Sequence, residues 1–138
     1  MILNIKSEGI ELTILKLLKK FKIKNYFFLD SSFPSMINLI RKGNKNVCVR
    51  ISDYESFGTL KKIKYSAKWV WIDCFNHIPL NEKNYKLIKK YNYKICLVSP
   101  ELHGKKINNH NVIRLIKRKK IKIDMICTKE KFFKNWRF

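Results

Sequence analysis

Acidic residues are scarce in this chain: 10 Asp and Glu stand against 31 Lys and Arg, leaving a formal net charge of +21 on 138 residues. Such an imbalance brings nucleic acid or an anionic lipid surface to the fore, because phosphate neutralisation drives that kind of binding. Arginine is scarce as well. Only five of the basic residues are Arg, the residue that clamps phosphates and reads bases, and this weighs against a base-reading protein. No apolar run approaches the roughly 18 residues of a membrane span. The opening MILNIKSEGIEL has neither a basic leader nor a continuous apolar core nor a small-residue cleavage site, so the expectation is a soluble, cytoplasmic protein without a transmembrane segment. No two cysteines are close: Cys48, Cys74, Cys96 and Cys127 fall in or at the end of apolar runs. Their spacing suits neither zinc nor redox motifs, and they are expected to be reduced and mostly buried. A glycine-rich phosphate loop is also missing after every apolar run, which removes support for nucleotide binding at a first turn.

What is present is a rhythm. Six segments rich in Ile, Val, Phe, Tyr, Trp and Cys recur every 20 to 30 residues or so, at 2–5, 26–29, 47–51, 69–72, 94–98 and 123–127. Their nearly continuous apolar character predicts parallel strands covered by helices. Helical stripes lie between them: over 10–21, over 36–40 after Ser32 and Pro34, over 85–91 and over 112–116. A weaker one over 54–63 contains Gly58, and 130–136 suits a short last helix. Strand and helix thus alternate with no composition break, which predicts one α/β domain over 1–138 with right-handed crossovers. An open doubly wound sheet and part of a (βα)8 barrel both fit. The lysine clusters KLLKKFKIK, LKKIK, LIKK and IKRKKIK end or follow the helical segments, where cations complement the helix dipole. A solvated surface accounts for them; residues 117–122, the densest cluster, are the candidate for nucleic-acid contact.

In either architecture ligands sit beyond the C-terminal ends of the strands. Asn4, Lys6 and Glu8 stand there after the first strand, Asp30, Ser31 and Ser32 after the second, and Arg50, Ser52, Asp53 and Glu55 after the third. Asp73 follows the fourth, Ser99, Glu101 and His103 the fifth, and Thr128 and Lys129 the sixth. Ser32 and Ser99, ahead of prolines, suit helix caps. Lys6 suits a phosphate. Arg50 suits either a phosphate or a structural pair with Glu55, Asp30 or Asp73. Asp73 suits a divalent cation if other carboxylates converge on it. His103 is the candidate general acid or base, with an exposed loop position as the alternative, while His77 and His110 read as surface loops. Trp69, Trp71 and Trp136 read as packing residues.

At these positions the chain resembles the glycerophosphodiester phosphodiesterase family, related to the phosphatidylinositol-specific phospholipase C barrels. The stretches that carry the likeness are LNIKSEGI, FFLDSSFPSMINLI, VRISDYE, WVWIDCF, ICLVSPELHG and IDMICTKE. The resemblance implies an incomplete TIM-type (βα) barrel with six parallel strands and alternating helices, the third to eighth units of eight. It implies a phosphodiester substrate such as a glycerophospho-alcohol and a divalent cation, Mg or Ca. Lys6 would face phosphate, and Arg50, Glu55 and Glu101, with Ser52 and Ser99 beside them, would line the pocket. Asp73 and Asn4 would be the metal candidates, Asn4 standing where the family has a ligating glutamate. The family's His-Arg-Gly opening and its His-Asp are not in this sequence, so the chain alone is expected to hydrolyse slowly or not at all. An N-terminal complementing chain or a second copy would cover the open strand edges. The alternative is a non-catalytic basic module that binds nucleic acid or anionic lipid.

Overall fold

A computed structural model of the chain describes residues 1–104 and 109–136. The six apolar segments form strands β1 (Ile2–Asn4), β2 (Phe27–Leu29), β3 (Cys48–Ile51), β4 (Trp69–Ile72), β5 (Lys94–Val98) and β6 (Met125–Cys127). Between them run helices α1 (Glu11–Lys20), α2 (Phe33–Arg41), α3 (Gly58–Lys62), α4 (Glu82–Lys90) and α5 (Asn109–Arg118), with 3₁₀ turns at Pro100–His103 and Glu130–Trp136. Every pairing is parallel, and neighbours in space follow chain order. β1 pairs with β2, β3 to β6 form a four-stranded sheet, and a single Phe28↔Val47 bridge joins the two sets. Strand order therefore never reverses, as it must in a doubly wound sheet.

The helices share one face of this arrangement. Leu18, Met36, Leu39, Leu60, Ile88 and Val112, from five helices, join one core with Phe28, Val49, Ile51, Val70, Ile72, Ile95 and Leu97 of the strands. Alternation along the strands sends Phe27, Leu29, Cys48, Trp71, Cys96 and Val98 to the other face, where they form a second cluster. No helix described here covers that face; Leu102, in the first 3₁₀ turn, packs against it. Trp69 and Trp71 belong to this side, with Trp69 stacked on Phe27 at 4.8 Å between ring centres, whereas Trp136 is buried in the helix-side core.

Two expected helices differ. The third is only five residues long, because the Ser52 hydroxyl takes the Tyr54 amide at 3.1 Å and the Ser56 hydroxyl takes the Gly58 amide at 3.0 Å. These local bonds hold the preceding connection in turns. The segment 130–136 is 3₁₀ rather than α. Ser32 does cap α2, its hydroxyl accepting from the Ser35 amide at 3.5 Å, whereas Ser99 makes no cap bond.

Four helices stop in the same way. The amides of Ile23, Asn44, Tyr93 and Ile121 reach back five residues to the carbonyls of Leu18, Leu39, Ile88 and Ile116 at 2.9 to 3.1 Å. That closure needs a left-handed residue just before the donor, and those residues are Lys22, Gly43, Asn92 and Lys120.

Because every strand points the same way and each helix brings the chain back, all helix-to-strand connections lie along the N-terminal edge of the strands. The lysine clusters are gathered there. Lys19, Lys20, Lys22 and Lys24 end or follow α1; Arg41, Lys42 and Lys45 end or follow α2; Lys61, Lys62, Lys64 and Lys68 end or follow α3. Lys89, Lys90 and Lys94 end or follow α4, and Lys117, Arg118, Lys119, Lys120 and Lys122 end or follow α5. These nineteen share their edge with a single acid, Asp124, while the other nine acids lie at the opposite, C-terminal edge. Among the described residues no helix is long and apolar enough to cross a membrane.

Candidate functional site

At the C-terminal edge the first three strands end in a chain of ion pairs. Asp30 has a left-handed backbone, φ 59°, that turns the chain off β2. Its carboxylate stands between two cations: Oδ2 is 3.1 Å from Lys6 Nζ and Oδ1 is 3.4 Å from Arg50 Nη1. Arg50 also donates through Nε to Glu55 Oε1 at 2.8 Å, and Ser52 Oγ donates to Glu55 Oε2 at 2.6 Å. The Glu55 hydrogen bond chiefly raises the Arg50 pKa above its ordinary value, aided by the charges of Glu55, Asp30 and Asp73. Arg50 and its partners Asp30 and Glu55 line a cavity of about 470 Å³ between the ends of β2 and β3, with Ser31, Ser32, Ser56 and Thr59 supplying hydroxyls. The Ser31 hydroxyl oxygen is buried without a hydrogen-bond partner.

Next along the sheet, Asp73 continues the alternation of Trp69 and Trp71 and is buried, 3% exposed. Its Oδ1 lies 2.7 Å from His103 Nε2, and Trp71 donates its indole N–H to Oδ2 at 3.2 Å. Both carboxylate oxygens are thus engaged, which offsets the cost of burying the charge. The Phe75 ring lies against the His103 imidazole at 4.4 Å between centres. His103 is therefore a held residue rather than a free loop histidine. Arg50 links the two centres, since on β3 it stands in register with Trp71, the indole donor to Asp73, and feels the charge of Asp73.

The third group binds itself. Glu101 accepts hydrogen bonds from the Ser99 and Thr128 hydroxyls, and its Oε1 takes the Lys129 amide at 3.3 Å. Burial pushes the Glu101 carboxyl up, but the Ser99 and Thr128 hydroxyls outweigh it and hold the pKa below its ordinary value. Ser99 is fully buried. These two expected pocket residues act as a strut between the ends of β5 and β6.

The two metal candidates do not meet. Asn4 is exposed on β1, Asp73 follows β4, and β2 and β3 lie between them. Among the described residues no three His, Cys, Asp or Glu side chains gather around a common point. Asn4 and Asp73 therefore do not fit a shared divalent cation. The four thiols are free; Cys48, Cys74 and Cys96 are buried and Cys127 half-buried. Burial raises all four pKa values, to about 12 for Cys74 and Cys96, so they are not nucleophiles at neutral pH.

Two partners were not assigned from sequence. Trp71 reads as packing, yet its two-residue spacing to Asp73 on a strand puts both on one face and lets the indole reach the carboxylate. His77 reads as a surface residue and pairs with Asp53, Nδ1 to Oδ1 at 3.1 Å; no local signal marks that contact. No protein-family model, curated protein or solved structure matches this chain.

Proposed function

We propose that the C-terminal crevice recognises a small phosphodiester, in a part-barrel of the glycerophosphodiester phosphodiesterase type that hydrolyses it slowly. The observation that carries the reading is Arg50: it lines the hydroxyl-rich cavity beside α2 and stands in register with Trp71, whose indole donates to the Asp73 of the Asp73–His103 pair. In this reading Arg50 and Lys6 take the phosphate oxygens, with the Ser31 hydroxyl as an added donor. Asp73 holds His103 through Nε2, leaving Nδ1 for proton transfer. Water attacks phosphorus, His103 takes the water proton, the P–O ester bond breaks, and the alkoxide leaves with that proton. Turnover is slow because one histidine carries a task that the resembled family divides between two. Consecutive parallel strands with helices on one face suit a segment of a (βα) barrel.

The test is titration with glycerophosphoethanolamine, followed by ³¹P NMR, alongside p-nitrophenol release from bis(p-nitrophenyl) phosphate. Arg50→Ala is expected to weaken binding about tenfold or more, the worth of a charged hydrogen bond. His103→Ala is expected to keep binding and lose the residual release. Failure of the unaltered protein to bind at about ten millimolar, a very weak limit, or equal release by His103→Ala, rejects the proposal.

A further inference from the structure

The nineteen cations at the N-terminal edge carry more than helix-dipole complementation requires, because that role is filled by the last helical turn alone. Ten of them lie past the helix ends, nine in the connections and Lys94 at the start of β5. Two grooves open among them. One, of about 420 Å³, is lined by Lys45, Lys68, Tyr65, Tyr91 and Asn92; the other, of about 190 Å³, by Lys24, Lys94, Tyr26 and Trp69. They adjoin, because Asn46 and Lys68 line both. Tyr65 is 56% exposed and meets Tyr91 edge to face at 5.7 Å, and Lys94 lies over the Trp69 ring at 5.5 Å.

We propose that this edge binds single-stranded nucleic acid, with phosphates along the lysines and a base stacked on Tyr65. Ring faces in a basic groove are the recognition chemistry of single strands, because every base has a π face and the backbone follows the charge. Asn46 and Asn92 supply amides for base edges. A duplex hides its base faces, and an anionic bilayer offers no planar ring to stack, so neither matches an exposed ring set among lysines. The scarcity of Arg fits the same partner: affinity without base reading needs point charges, which Lys provides. The surface lies at the opposite end of the sheet from the Arg50 cavity, so it stands whether or not that cavity binds a phosphodiester.

The experiment is fluorescence anisotropy with a labelled 12-nucleotide oligo(dT), its duplex with oligo(dA), and vesicles of phosphatidylglycerol in phosphatidylcholine. The single strand is expected to bind about tenfold or more tighter than the duplex, with affinity falling steeply as salt rises. Tyr65→Ala is expected to weaken it about tenfold, the worth of one stacked base, and Lys45→Glu/Lys68→Glu more strongly. Lys131→Glu/Lys134→Glu carries the same charge change at the opposite end and is expected to have little effect. Equal loss in that control would mean net charge alone attracts the strand, and would overturn the proposal. So would duplex binding as tight as single strand, vesicle binding without oligonucleotide binding, or an unaffected Tyr65→Ala variant.

Discussion

Lys22 and Lys120 hold left-handed backbone, φ 54° and 50°, at helix-stop positions where Gly43 performs the same task after α2. A side chain there costs about 1 kcal/mol relative to glycine. Lys22→Gly and Lys120→Gly are therefore expected to raise unfolding free energy by about that amount each, read from urea midpoints at constant slope. Lys22→Ala and Lys120→Ala remove the same charge without relieving the backbone, so the difference between Gly and Ala isolates conformation from repulsion. Equal midpoints for the two substitutions would show that the left-handed geometry costs nothing. The chain thus keeps charge on its N-terminal edge at two places where backbone preference favours a residue without any.

Tyr93 works between elements. Its ring is buried at the start of β5, and its hydroxyl lies 3.1 Å from both the Leu60 and Ile63 carbonyls at the end of α3. Tyr93→Phe keeps the packing and strips the donor from a five-residue helix that has little else to fix its end. The expected loss is about 1 kcal/mol in urea denaturation, a net hydrogen bond in a buried place; an unchanged midpoint would mean water serves the two carbonyls as well. None of this bond is legible in the sequence, where Tyr93 is one aromatic among several and its partners lie 30 and 33 residues away. Strand existence was legible because Ile, Val and Trp runs report burial directly; the stripe of α1 marked the helix but not its burial, since Leu18 is buried while Ile10, Leu17 and Phe21 are exposed. The Asp73–His103 pair was half legible: both residues stand at strand ends, but only the packing of the 3₁₀ turn after β5 closes the 30-residue separation to 2.7 Å.

At the scale of the whole molecule, lysines that lie spread along the sequence become one edge, because parallel topology sorts connections by type. Sequence reading sees each cluster as a solvated helix end; only the common direction of six strands makes them neighbours. That crowding has a cost in the folded state, since like charges gathered on one face repel across distances shorter than the screening length at low salt. The ion pairs at the other edge pull the opposite way, but Lys6 and Arg50 are substantially exposed, and such pairs contribute little. Repulsion should win. Raising NaCl from about 10 to 150 mM shortens the screening length from about 30 to 8 Å, and the unfolding midpoint is expected to rise by about 3 °C, equivalent to roughly 1 kcal/mol in a chain this long. Lys45→Glu/Lys68→Glu should flatten that salt response, whereas Lys131→Glu/Lys134→Glu should leave most of it, because its lysines stand away from the crowded edge. A midpoint that falls as salt is added would show that the Lys6–Asp30–Arg50–Glu55 pairs, and not the lysine edge, dominate the electrostatics of the fold.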